Sequence, residues 1–399
     1  MNRESEVKTN VDDIKMVCIL GAGAMGHGIA EVALLSGYKV VLRDIEQKFV
    51  DKGIQAMKEN FEKFYLQKGK ITEEQLDKMM KEQLEGIVEM KKAVSDVDVV
   101  IEAVPEVMDI KKSVFKELDE YTKKDTILAS NTSSMSISEF AKVTAKEDKV
   151  VGMHWFNPPT RMKLVEVIKG DKTSEETMKV MWDFTEKLGK VPVRVEKDVP
   201  GFIVNRITAP SGALFGAILD QKVAEPEEVD ATLMQVGQPM GAYVLFDYIG
   251  LDILSHGQEY CAKVISPDYE PPKFLKDLVD KGDLGMKTGK GIYDWSAGRP
   301  QIDMSKATDK VDATDAVAVQ INEGVKLLEQ GAVKSPDDID TAMKYGMNMP
   351  VGPFEMLGMF DDLKGRLEDL AKKYNKEIFA PTKTIKEGKL EEFLASFKK

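Results

Sequence analysis

Five consecutive apolar residues, Met16-Val17-Cys18-Ile19-Leu20, run straight into Gly21-Ala22-Gly23-Ala24-Met25-Gly26. No other junction in the chain constrains its folding as much. An unbroken apolar run of this kind reads as a strand covered on both faces, as parallel sheets require. A helical pattern follows through Leu35. In a strand, turn and helix so arranged, Gly21 permits the tight turn, Gly23 lets the backbone approach a pyrophosphate, and Gly26 lets helix and strand pack closely. The N–H groups of Ala24, Met25 and their neighbours at the helix start offer partial positive charge to phosphates. A second strand, residues 39–43, delivers Asp44, 18 positions after Gly26. A carboxylate there accepts hydrogen bonds from ribose hydroxyls and repels a 2′-phosphate, which favours NAD over NADP; the adjacent Arg43 is the one residue that argues the other way.

Further apolar runs that end in polar residues, at 97–104, 126–130 and 149–153, continue the sheet. Residues 46–92 are charged and Met-rich with helical spacing, interrupted at Lys68-Gly69-Lys70, and predict a helical hairpin between strands. Beyond Pro200-Gly201 the period is helical. There Pro226-Glu227-Glu228-Val229-Asp230 matches Pro336-Asp337-Asp338-Ile339-Asp340, and Pro239-Met240-Gly241 matches Pro350-Val351-Gly352. Self-similarity over about 100 residues indicates a duplicated helical unit. The expected fold class is α/β, a Rossmann-type doubly wound sheet followed by two tandem all-α domains. The expected division is a polar tail at 1–13, a nucleotide domain at 14–198, a first helical domain at 199–296, a linker at 297–314 and a second helical domain at 315–399.

The net charge of −12 over 399 residues argues against a nucleic-acid partner. No run of 18 apolar residues is present, so no membrane partner is expected. The first 13 residues carry four acids and lack the pattern of a signal or transit peptide. Two cysteines, Cys18 and Cys261, give no disulfide framework, and a cytoplasmic location is expected. Three dispersed histidines and two cysteines offer no metal-ligand spacing, and no GxSxG elbow precedes Ser133.

In an open parallel sheet the ligand lies beyond the carboxyl ends of the strands, where Glu106, Asn131-Thr132-Ser133 and His154 fall. Oxidising a secondary alcohol requires a base for the hydroxyl proton, and His154 is the candidate. A lone histidine is ordinarily structural. What changes that reading is Glu166, lodged in Lys163-Leu164-Val165-Glu166-Val167-Ile168, since a carboxylate among aliphatic residues is costly unless paired. With His154 as partner it fixes the imidazole tautomer and stabilises the imidazolium.

Taken together, Ser130-Asn131-Thr132-Ser133-Ser134, His154-Trp155-Phe156-Asn157-Pro158, Glu166 and Gly201-Phe202-Ile203-Val204-Asn205-Arg206 resemble the (S)-3-hydroxyacyl-CoA dehydrogenases, from about Met16 to near the C-terminus. The resemblance implies an NAD cofactor and an acyl-CoA substrate. It gives His154 and Glu166 the roles above, makes Ser133 and Asn205 donors to the substrate oxygen, and sets Glu106, Lys111 and Asn131 along the cofactor. Ser134 stands next to Ser133 as a second candidate. Asn205 also fits a simple helix start, and Asn157 either touches substrate or only shapes its turn. The resemblance borders the CoA moiety with the hairpin, where Lys68 and Lys70 either meet phosphates or form a solvated face. The expected activity is interconversion of short (S)-3-hydroxyacyl-CoA and 3-ketoacyl-CoA, without a hydratase segment. A free hydroxy-acid (sugar-acid) dehydrogenase and a non-enzymatic, crystallin-like nucleotide binder remain open. The chain departs from the family pattern in having Ala242-Tyr243 where Pro-Phe is usual and in lacking a Glu after Ser211-Gly212, although Asn322-Glu323-Gly324 has one. Single-repeat members pair through their helical domains, so the duplication implies an internal pseudo-dimer in a monomer, with a homodimer possible.

Overall fold

Among the described residues eight strands, numbered in chain order, form one sheet in the order β3-β2-β1-β4-β5-β6-β7-β8. They are β1 Met16–Leu20, β2 Lys39–Arg43, β3 Leu84–Ile87, β4 Val99–Glu102, β5 Ile127–Ser130, β6 Val150–Trp155, β7 Leu164–Ile168 and β8 Val191–Val195. Every neighbouring pair is parallel except β6 and β7. The computed structural model describes residues 10–397. The strand order reverses at β1, which lies between β2 and β4, and this is where an open α/β sheet leaves a crevice at its carboxyl edge. The residues of β4, β5, β6 and β7 are all buried, which is why they read as continuous apolar runs.

Two strands escape the sequence pattern. Leu84–Ile87 carries Gly86 and the exposed Glu85 at the sheet edge, so neither alternation nor β-propensity marks it. Gly86 has no room for a side chain, because a Cβ there would stand 2.7 Å from Val50 on the helix Gln47–Phe61. The second is β8, Val191–Val195, which completes the far edge. Within residues 46–92 the hairpin itself is present, with Gly69 at φ 65° in its turn and Thr72 and Gln75 forming a capping box for the second helix.

Contacts divide the chain into two units. The first holds the described residues up to Ile203 together with 331–334 and 341–350; the second holds 204–330, 335–340 and the described residues from 351 on. These units group residues across the expected division at three places. Of the 1–13 tail, residues 1–9 lie outside the described residues, whereas Asn10 caps a short turn whose Val11 is buried in the core with Ile14. The first unit runs past 198 to Ile203 because the Ile203 N–H donates to buried Glu166 at 3.0 Å. Part of the second helical copy belongs to the first unit, since Glu196 N–H donates to the Ala332 carbonyl at 2.8 Å and Lys334 pairs with Glu196 at 2.9 Å.

In the second unit the two helical copies share one core, in which Leu214, Ala217 and Tyr243 meet Ile321, Val325 and Leu367. The repeated motif has a local cause. Asp230 accepts the Tyr243 and Val244 N–H groups at 2.9 and 3.0 Å, and Asp340 accepts the Phe354 N–H at 2.8 Å. Each carboxylate so close to the next helix start excludes a side chain at Gly241 and Gly352, where a Cβ would come within 2.2 Å of it. Ala242-Tyr243 is accommodated because the buried Tyr243 hydroxyl donates to the Phe215 carbonyl at 2.8 Å.

Candidate active site

The glycine loop is shaped by contacts that leave a mouth for a ligand. Gly21 has φ 97°, and a Cβ on it would lie 2.5 Å from the Ala103 carbonyl oxygen; one on Gly26 would lie 1.7 Å from the Gly21 oxygen. Nothing stands within 4 Å of the corresponding position on Gly23. The helix Ala24–Leu35 begins at Gly23 with no side-chain cap. Its first N–H groups suit an anion, so these residues fit the pyrophosphate of a dinucleotide. Asp44 accepts the Ala22 N–H at 2.8 Å and the Ile45 N–H at 2.6 Å, fixing a half-buried carboxylate at the end of β2. Arg43 turns elsewhere: its Nε donates to the Val88 carbonyl at 3.0 Å.

Beyond β4 lies a buried ionic network that the sequence did not disclose. Glu102 accepts Lys111 Nζ at 2.7 Å and Ser130 Oγ at 2.7 Å, and both charged partners are essentially inaccessible. Lys111 also pairs with Glu106 at 3.1 Å. Glu106 in turn accepts the Thr132 hydroxyl at 2.5 Å and the Ser133 N–H at 3.0 Å. Burial alone would raise the Glu106 carboxyl, but Lys111, Thr132 and Ser133 outweigh it and hold it below its ordinary value. The loop carrying Ser133 is thus anchored on Glu106, and Glu106 on Lys111.

The strand ends β5 and β6 bring that loop beside the histidine. Ser130 pairs in register with Gly152, and Asn131 Oδ1 accepts the Trp155 N–H at 2.9 Å. The antiparallel pairing of β6 with β7 then sets His154 opposite Glu166. Their contact is 2.6 Å, from Nδ1 to Oε2, with Glu166 wholly buried and His154 nearly so. A carboxylate at Nδ1 holds the proton there and leaves the basic lone pair on Nε2. Phe156 and Phe202 flank the imidazole at ring-centre distances of 4.4 and 5.8 Å.

The remaining candidates lie on other elements. Asn157 is exposed in the turn after β6. Lys68 is exposed on the hairpin, its Nζ 5.6 Å from the Phe64 ring, and Arg161, unremarked in the sequence, stands 5.5 Å from the same ring. Asn205 is an exposed residue of the helix Val204–Asp220 and belongs to the second unit. Among the described residues no group of three or more His, Cys, Asp or Glu could hold a metal ion, and no helix is long and apolar enough to cross a membrane.

Comparison with known proteins gives a consistent picture. Residues 16–199 match the 3-hydroxyacyl-CoA dehydrogenase NAD-binding domain, and residues 201–295 and again 314–392 match the C-terminal domain of that family. The chain is 35% identical over 382 residues to the fatty acid oxidation complex subunit alpha of Idiomarina loihiensis, covering 88% of the chain but only 52% of that protein. It therefore spans about half the length of such relatives. It is 38% identical to human mitochondrial hydroxyacyl-coenzyme A dehydrogenase, over 70% of the chain and 91% of that protein. The crystal structure of 3-hydroxybutyryl-CoA dehydrogenase from Escherichia coli K12 superposes with a TM-score of 0.85 at 29% identity, covering 95% of this chain and 99% of that one.

Proposed function

The chain belongs to the 3-hydroxyacyl-CoA dehydrogenase family of NAD-dependent enzymes, and from that premise we propose that it interconverts (S)-3-hydroxyacyl-CoA and 3-ketoacyl-CoA of short chain length, such as 3-hydroxybutyryl-CoA and acetoacetyl-CoA. The observation that carries the reading is the buried His154–Glu166 pair at 2.6 Å, next to the loop of Asn131 and Ser133. The likeness to 3-hydroxybutyryl-CoA dehydrogenases supports the short chain.

NAD, when bound at Gly21, Gly23, Gly26 and Asp44, supplies the hydride acceptor for substrate C3. His154 takes the 3-hydroxyl proton at Nε2 as the hydride leaves, and the Glu166 carboxylate stabilises the resulting imidazolium. In the reverse direction negative charge grows on the 3-oxygen, and His154 returns the proton. The resemblance makes the Ser133 hydroxyl and the Asn205 amide donors to that oxygen, and such dipoles stabilise developing charge better than reorganising water does. Glu106 and Asn131 would lie along the cofactor, with the buried Lys111 holding Glu106, and through it the Ser133 loop, in place. Lys68 would meet a CoA phosphate, and Asn157 would touch the substrate. The duplicated helical copies form an internal pseudo-dimer, so the chain works as a monomer.

The test is NADH oxidation followed by absorbance with acetoacetyl-CoA and, separately, with free acetoacetate. Turnover with the thioester alone supports the reading. Equal turnover of the free acid points to a hydroxy-acid dehydrogenase, and none with either overturns it.

A further inference from the structure

The helices Val204–Asp220 and Asp315–Glu329 are corresponding parts of the two helical copies. Their last residues, Asp220 and Glu329, are 109 positions apart, and so are the left-handed residues that follow, Lys222 at φ 54° and Gly331 at φ 63°. Under that offset Ser211 corresponds to Gln320, and these two counterparts hydrogen-bond to each other at 3.0 Å. A residue meets its own counterpart where a two-fold axis crosses a pair of helices.

Symmetry of that kind makes every other contact occur twice. Arg206, one residue after Asn205, forms a buried ion pair through Nε with Glu323 of the second copy. Lys326 holds the other Glu323 oxygen at 3.1 Å. The reciprocal contact would join the counterparts Asp315 and Leu214. That pair has no opposite charges, and Asp315 instead binds Arg366 at 2.7 Å. The chain therefore has the Arg–Glu arm only on the copy that carries Asn205. A buried ion pair is a poor device for stability alone, since apolar residues of similar volume serve as well or better, and Leu214 shows that this position accepts one.

We propose that Glu323 is a positioning residue: it fixes Arg206, and with it the first turn of the helix bearing Asn205, the residue read under the proposed function as a donor to the substrate oxygen. The inference rests on that reading, and the experiment separates the two. Wild-type turnover with acetoacetyl-CoA tests the reading, whereas hydrogen exchange across residues 204–212 tests the positioning whether or not turnover is seen. Three variants are compared: Glu323→Gln, which keeps the side-chain size; Glu323→Asp, which keeps the charge; and Arg366→Gln, which breaks an ion pair elsewhere in the same unit. In Glu323→Gln we expect faster exchange at 204–212 and a kcat lowered about tenfold with KM for NADH unchanged, as small misplacements produce. Glu323→Asp should recover part of the loss, and Arg366→Gln should leave kcat as it was. If Glu323→Gln does not fold, Arg206→Lys carries the same exchange measurement. Unaltered exchange at 204–212, or an equal loss of kcat in Arg366→Gln, overturns the proposal.

Discussion

His154 and Glu166 meet because β6 and β7 run antiparallel and pair these two residues directly in register. A one-residue slip would turn the carboxylate to the opposite face of the sheet, so the dyad is as firmly specified as the strand pairing. Replacing His154 with Ala is expected to lower kcat ~10²–10⁴-fold, the usual contribution of a positioned base. NADH affinity should hardly change, because the residues proposed to hold the cofactor belong to other loops. Glu166→Gln should lower kcat less while also slackening the Ile203 turn that it anchors. Near-normal kcat in His154→Ala would remove the residue from the mechanism, and stopped-flow single turnovers with separately measured NADH binding decide it.

Cofactor choice should follow Asp44. Asp44→Ser removes both the proposed ribose acceptor and the partner of the Ala22 N–H, so NAD efficiency should fall by roughly tenfold or more, on the order of a lost charged hydrogen bond. Discrimination against NADP should relax but not invert, because Arg43 is engaged with the Val88 carbonyl. The check is kcat/KM with both cofactors; identical values in variant and wild type would take Asp44 out of the site.

How much of this was legible depends on how local each signal is. The glycine loop was readable because strand, turn and helix are contiguous, and its steric demands at Gly21 and Gly26 arise within the motif and its neighbouring strand. Glu166 betrayed itself as a carboxylate inside an apolar run. Glu102 did not, since a polar residue ending a strand looks ordinary and Lys111 looks like any solvated helix lysine. Only the approach of helix Met108–Tyr121 to β4 buries the two together. Leu84–Ile87 was hidden for a similar reason, as its place at the edge is set by the packing of Val50 on Gly86 rather than by its own composition. The attachment of 331–334 to the first unit depends on Glu196, more than a hundred residues away.

The buried pair of Glu102 and Lys111 makes a stability prediction. Lys111→Met leaves Glu102 buried without its cation, and breaking such a pair costs about 3–5 kcal/mol. The double variant Glu102→Gln with Lys111→Met should be less destabilised than Lys111→Met alone. Urea unfolding measures both. A single variant as stable as wild type would show that the charges are dispensable to the fold.

A second buried acid should tilt stability with pH. Glu31, 1% exposed, is raised to about 7 by burial, against which a hydrogen bond from Asn60 at 2.8 Å acts only partly. A carboxyl whose folded pKa exceeds its unfolded one binds a proton more tightly in the folded state. Its stabilising contribution is therefore fully present below about pH 4.5 and is lost as pH rises through 7. At about 1.4 kcal/mol per pK unit the loss is on the order of 3 kcal/mol. Glu31→Gln should flatten this part of the profile and be the more stable protein at pH 8. Parallel pH dependence of melting in the two proteins between pH 5 and 8 would contradict the assignment.

Removing the second helical copy should cost the first its folded partner surface. Leu214, Ala217 and Ile218 lie buried in a core to which Ala318, Ile321 and Val325 contribute, and Ser211 loses Gln320 as Arg206 loses Glu323. Truncation after Trp295 also removes residues 331–334 and 341–350, which belong to the first unit. An exposed apolar face of this extent either finds a twin or aggregates. If the copies are an internal pseudo-dimer, the shortened chain should associate through the vacated face, with Arg206 left without a Glu because position 214 is Leu. Light scattering should therefore report dimers or larger species, and Leu214→Glu in the truncated chain should favour a discrete dimer by supplying both arms of the Arg–Glu contact. A truncated protein that stayed a fully active monomer would defeat the pseudo-dimer.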